Sequence, residues 1–278
     1  MPSTIDIDRK LKTFTSVGDI VSAMKAYAGM TVRRTEELVP NVREYEETVI
    51  AALGDAVRLI GIDLPERTGS GERLLIAFGS SQGLCGPYNE HVARRVAEEK
   101  KANDTLFVIG SRLRGSIESH GVTIEVSADA PASISGIGKA LEDTIVSIIE
   151  IYRGELFYDM VLIFTAVREH KADVVLEQVL PPDRDRVAAH KSAHPPETYM
   201  EGQLILDAVL EEFLYISLFR GYLESLMSEN WHRLNVLDGA TTSLERRLRE
   251  LRILKNYIRQ EEITEEMLEI LGGGRFFG

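Results

Sequence analysis

Cysteine is nearly missing from this 278-residue chain: Cys85 stands alone. That excludes an internal disulfide and any metal site built on several thiolates. Long apolar runs are missing too. No stretch approaches the roughly 18 residues that a membrane span needs, and residues 1–12 carry too much charge for a signal peptide, so a cytosolic chain without direct membrane insertion is expected. Proline is scarce and unevenly placed, with none after Pro196. Positive charge is outnumbered: the formal net charge is −12 and the acidity lies mainly beyond residue 60. Such a surface argues against nucleic acid or anionic lipid as partners. Hydrophobic residues make up 44% of the chain, enough for a sizeable core.

What is present begins with the proline-free C-terminal third. Ile216, Phe219, Leu223, Leu226, Leu234, Leu237, Leu244, Leu248, Leu251 and Ile258 recur at steps of three and four, which draws one narrow apolar seam along a single long helix. Asn230 and Thr241 interrupt that seam with polar groups. The N-terminus repeats the pattern through Ile7, Leu11, Phe14, Val21, Met24, Ala28 and Val32, and resumes it from Tyr45 to Ile60. Pro40 is expected to bend or break this first helix. Two seams from opposite ends of one chain pair as an antiparallel coiled coil if the middle folds back on itself.

Between them the pattern alternates. Strands are expected at Leu74–Phe78, Thr105–Ile109, Val122–Val126, Met160–Phe164 and near Val174–Val179, with helices at Tyr88–Lys101, Ser111–Ser119 and Ile137–Arg153. That order implies an α/β domain with a mostly parallel, Rossmann-like sheet covered on both faces. The expected division is 1–60 for the N-terminal coiled-coil helix, 61–195 for the central domain and 196–278 for the C-terminal helix, with Pro181, Pro182, Pro195 and Pro196 bracketing a loop.

The turn Gly79-Ser80-Ser81-Gln82-Gly83-Leu84-Cys85-Gly86 follows the first strand and could cradle a phosphate at a helix N-terminus. Its glycines are spaced G-x-x-x-G-x-x-G, no acidic residue ends the second strand, and no Gly-Lys-Ser/Thr triplet exists, so a structural tight turn is the stronger expectation and no cofactor is expected. Cys85 is correspondingly expected to pack as a small buried thiol rather than act as a nucleophile. His190 and His194 have i, i+4 spacing in a Pro-flanked loop without further ligands, too little for a metal. The basic run Arg246, Arg247, Arg249, Arg252 and Lys255, with Glu245 and Glu250 beside it, fits a solvated helix face.

Three blocks carry a family resemblance. Leu214 to Ser225, Ser228-Glu229, Arg233, Ala240-Thr241, Asn256-Tyr257-Ile258-Arg259-Gln260 and Ile263-Thr264 resemble the C-terminal helix of the γ subunit of F-type ATP synthases. Gly83-Leu84-Cys85-Gly86-Pro87-Tyr88-Asn89 resembles that family's G-L-C-G-G-x-N, and Glu177-Gln178-Val179-Leu180-Pro181 its strand ending in Q-x-L-P. Ile20, Ala23-Met24-Lys25 and Arg33-Arg34 lie where the family has I-T-x-A-M and a basic cluster. Departures at Ser16–Val21, Ser81-Gln82 and Ser243 mark a divergent member, similar to the γ subunit of an alternative, sodium-type F-type complex.

The resemblance implies a non-catalytic central rotor shaft, coupling ion flow through the c-ring to catalysis on β. Its implied partners are the α and β subunits, ε and the membrane c-ring, and its implied place is the cytoplasmic face of the plasma membrane. Lys25, Arg33, Arg34, Arg233, Arg259, Gln260 and Thr264 are the implied β contacts. From the residues alone, two rivals stand: a dinucleotide-binding enzyme with coiled-coil dimerisation arms, and a bare coiled-coil scaffold.

Overall fold

The computed structural model describes residues 4–64, 72–152, 159–169, 171–189 and 197–273. It divides into two compact units, one made of Met1–Ala28 with Leu234–Gly278 and the other of Gly29–Arg233. Two helices run through both: α1, Thr4–Ile60, and, in chain order the last of six, α6, Gly202–Gly273.

In the first unit the buried positions fall on the expected seams. Ile7, Ala28, Leu237 and Ile258 are buried, and Leu11, Phe14, Val21, Leu244, Leu248 and Leu251 are half-buried between exposed neighbours. The helices are antiparallel there, because Thr4 meets Glu262, Asp8 meets Lys255 and Lys25 meets Asp238. At 3.6 residues per turn, steps of three and four keep one stripe facing the partner helix.

The second unit is built on a five-stranded sheet of order β3-β2-β1-β4-β5: β1 Arg73–Phe78, β2 Thr105–Ile109, β3 Val126–Ala128, β4 Asp159–Arg168 and β5 Lys171–Leu180. The first four are parallel neighbours and β5 runs antiparallel to β4. Side chains alternate across the sheet. Leu74, Ile76, Phe78, Leu162 and Phe164 face α1, α4 (Ile137–Tyr152) and α6, whereas Leu75, Ala77, Val108, Val161 and Ile163 face α2 (Tyr88–Glu99) and α3 (Ser111–Ser119). With both faces covered, β1, β2 and β4 read as unbroken apolar runs.

Three expectations change. Pro40 does not break α1, which continues through it. Its ring is exposed, so the Glu36 carbonyl that loses a partner lies at the solvated side, while buried Thr35 and Val39 before it and half-buried Val42 and buried Glu46 after it hold the helix against the core. The third strand starts four residues later than Val122, because the Glu125 carboxylate takes the Leu106 N–H at 2.7 Å that a strand would otherwise use. A short helix, α5 at Arg184–Ala189, stands in the expected proline-bracketed loop; Asp183 Oδ1 accepts the N–H groups of Asp185 and Arg186 at 2.9 and 3.1 Å and caps it.

Candidate functional site

The chemistry suggested by the glycine-rich turn depends on the carboxyl ends of β1 and β4, where the strand order reverses and an α/β sheet normally opens a ligand crevice. Here α6 fills that place. Gly221 lies so close to Phe78 that a Cβ would sit 3.0 Å from the ring, Tyr222 meets the same ring edge-on at 5.0 Å between centroids, and Ser228 Oγ donates to the Thr165 carbonyl at 2.6 Å. Tyr88, at the start of α2, shares a 2.5 Å hydrogen bond with Ser225 Oγ. Burial pushes the Tyr222 hydroxyl up to about 12, against a hydrogen bond with Thr144 that favours its ionised form.

The turn is knotted on itself. Asn89 Oδ1 accepts the Ser80 N–H at 2.9 Å and its Nδ2 donates to Ser80 Oγ at 2.9 Å, with Cys85 Sγ 3.5 Å away. Cys85 is buried and hydrogen-bonds within this knot, as a packing thiol does. Gly110, at φ +115°, brings β2 against the Ser80 carbonyl, which a Cβ would meet at 2.7 Å.

From α6, Arg233 reaches into the turn. Its Nε and Nη2 both donate to the Gly83 carbonyl at 3.2 Å, Nη1 donates to Asn230 Oδ1 at 3.0 Å, and Nη2 also pairs with Glu229. Arg233 is 4% exposed, so the structure gives this guanidinium an internal role as the clamp on the turn. Asn230, the polar break in the seam, completes it by donating to the Leu226 carbonyl at 2.8 Å. Burial holds the Glu229 carboxyl above its ordinary range, and the nearby Arg233 offsets only part of that. Burial and the neighbouring His91 push the His232 imidazole down.

The other expected contact residues do not gather into one place. Lys25 pairs with Asp238, both well exposed. Arg33 and Arg34 are exposed on α1 without an ion-pair partner among the described residues. Arg259, Gln260 and Thr264 are exposed near the end of α6, where Thr264 Oγ1 donates to the Gln260 carbonyl at 2.8 Å. His190 and His194 lie outside the described residues, and among those described no group of His, Cys, Asp or Glu is placed to hold a metal.

Sequence reasoning missed a second guanidinium cluster in the larger unit. Arg220 on α6 is 4% exposed and reaches three carboxylates on three elements: Glu46 of α1, with Nε 3.1 and 3.0 Å from its two oxygens, Glu177 of β5, and Glu224 of α6 at 3.5 Å. Arg43 holds the same Glu224 oxygen at 3.0 and 3.1 Å, Arg186 of α5 joins Glu46 and Glu47 at 3.3 and 2.7 Å, and Ser217 Oγ donates to Glu46 at 3.2 Å. The positions 217, 220 and 224 follow the helical rhythm beside Ile216, Phe219 and Leu223, which was the available signal.

Two long helices, antiparallel within each compact unit, and a five-stranded α/β sheet packed at its reversal of strand order by α6 define the class of fold. Residues 3–275 match the family model described as ATP synthase, and the chain belongs to that family. It is 27% identical to the ATP synthase gamma chain of Geotalea uraniireducens and 28% identical to that of Pelotomaculum thermopropionicum, covering 98% of both chains in each case. Its fold is similar to a rotor chain of the Euglena gracilis mitochondrial ATP synthase (TM-score 0.61, 14% identity, 94% of this chain and 98% of that one). It is also similar to a chain of the central stalk and c-ring of the Tetrahymena thermophila mitochondrial ATP synthase (TM-score 0.60, 18% identity, 80% and 99%).

Proposed function

We infer that this chain is the central rotor shaft of an F-type ATP synthase, in the place that the gamma chain occupies, and that it performs no bond chemistry of its own. One observation carries this: a 57-residue and a 72-residue helix, antiparallel in each compact unit, in a chain matched to the family from residue 3 to residue 275. Residues 1–60 and 196–278 then form the shaft, turning inside a ring of α and β subunits. Residues 61–195 form the foot, seated with ε on the c-ring at the cytoplasmic face of the membrane. Among the described residues no helix is long and apolar enough to cross a membrane, and attachment runs through these partners.

In this role Lys25, Arg33, Arg34, Arg259, Gln260 and Thr264 are the groups we assign to contact with β. Arg33, Arg34, Arg259, Gln260 and Thr264 suit a moving contact because they are exposed, and Lys25 is held only by its solvated pair with Asp238, so that attraction is long-ranged rather than fixed. Arg233 serves it indirectly, by holding the turn at Gly83.

Affinity capture of the tagged chain from its native membrane, with the retained chains identified by mass spectrometry, tests the assignment. Recovery of α, β, ε and c is expected. A particle of two copies of this chain without α or β would replace the shaft with a coiled-coil scaffold.

A further inference from the structure

The Arg220 cluster is costly to bury, and an apolar core at the same place would serve stability as well or better. What an ionic cluster supplies in place of apolar packing is register: a planar fork accepts its carboxylates only in one mutual arrangement. Here that arrangement ties α1, α6, β5 and, through Arg186, α5. The Arg220 guanidinium also lies over the Phe164 ring of β4, 5.6 Å from its centroid, so the strand beside the β5 edge backs the same group.

We propose that Arg220, with Glu46 and Glu177, is the coupling junction at which the two long helices grip the edge of the sheet, so that twist entering one is delivered to the other. This rests on the rotor-shaft assignment and names the positioning residues within it. Apolar surfaces slide by small repackings under load, whereas rotating α1 or α6 about its axis moves Glu46 or Arg220 out of a fork that must stay planar to stay paired. Carboxylates on β5 and α1 bound by one guanidinium therefore resist relative rotation. Arg43 to Glu224 and Arg186 to Glu47 are the outer pairs that keep the centre from opening.

The test uses the whole complex purified from the native membrane and reconstituted in vesicles, reading ion uptake per ATP hydrolysed. The triple variant Glu46→Gln, Glu177→Gln, Arg220→Met removes the junction and leaves Arg43 with Glu224 and Arg186 with Glu47, so no uncompensated charge is created. We expect it to assemble and hydrolyse ATP at the wild-type rate while the ions moved per ATP fall well below the wild-type ratio. Wild-type coupling in the assembled triple variant would overturn the proposal and leave the cluster a structural feature alone. Should the triple variant not assemble, Arg220→Lys decides: it keeps the charge without the fork, so the same loss of coupling is expected, and full coupling overturns the proposal. A wild-type complex lacking this chain, or one that pumps equally well without it, would instead remove the shaft assignment itself.

Discussion

A guanidinium buried among carbonyl and carboxylate oxygens is strongly committed, and Arg233 shows how much one such residue fixes. Truncating Arg233→Ala leaves the buried Glu229 carboxylate and the Asn230 amide facing lost donors and frees the Gly83 carbonyl. Breaking one side of a buried pair costs about 3 to 5 kcal/mol, so urea denaturation of the isolated chain should show a loss of that order, with Arg233→Lys recovering only part because one ammonium cannot span the three acceptors. Cys85→Ser should stay within about 1 kcal/mol of wild type, since a hydroxyl can take up the contacts with Ser80 and Asn89. His232 sets a pH dependence. Its folded pKa lies below the ordinary 6.5 through burial and His91, so its contribution to stability is complete above pH 6.5 and is lost as pH falls through the folded value. Thermal melts of His232→Phe should lose part of the slope of stability against pH below 6.5 that the wild type shows. The sequence marked Arg233 only through its family position, which pointed outward. Its burial was nonetheless legible in the rhythm Leu226, Asn230, Arg233, Leu237, which follows the apolar seam, but a charged side chain on a core stripe announces its partner only when the fold brings Gly83 alongside.

Elements whose signal is periodic were legible, and those decided by a single competing side chain were not. The seams of α1 and α6, the apolar runs of β1, β2 and β4 and the helices α2 to α4 all lie where periodicity puts them. The start of β3 turned on the Glu125 carboxylate capturing the Leu106 amide, and α5 on the Asp183 cap following two prolines. Pro40 is the instructive miss, since the local rule against proline in a helix gives way when the turns on both sides are held, by buried Val39 before it and by half-buried Val42 and buried Glu46 after it. The residual strain should be recoverable. Pro40→Ala restores an N–H to the Glu36 carbonyl, and against a helix-interior penalty of about 3 kcal/mol stands the greater freedom that alanine gives the unfolded chain, about 0.4 to 1 kcal/mol. A net gain of about 2 kcal/mol is expected by denaturant titration. Gly221→Val should act in the opposite direction. A branched side chain would meet the Phe78 ring and push α6 off the sheet, for a loss of about 1 to 3 kcal/mol from overpacking.

At the scale of the whole molecule, the proposed role rests on the exposed groups of α1 and α6. The place where the strand order reverses is packed by Tyr222 and Ser228 of α6, and the contacts proposed for other subunits lie on the outer surfaces of α1 and α6. Arg259, Gln260 and Thr264 are the sharpest case. All three are exposed near the end of α6, and Arg259 has no ion-pair partner among the described residues. Adjacent residues on a helix point about 100° apart while i and i+4 share a face, so Arg259 and the Gln260–Thr264 pair can address two sides of one loop segment. Thr264 already spends its proton on the Gln260 carbonyl at 2.8 Å, and so offers a partner an acceptor. A charged donor contributes about 1.5 to 3 kcal/mol net and a neutral one about 1. The double variant Arg259→Ala, Gln260→Ala removes both from the complex. It removes little from the chain itself, because exposed positions tolerate alanine and alanine favours the helix. The isolated variant should keep its helix content by circular dichroism, while the assembled complex should turn over ATP several-fold more slowly and retain less of this chain on a sizing column. Equal turnover and equal retention would show that these residues face only water, and would leave Lys25, Arg33 and Arg34 as the remaining proposed contacts with β.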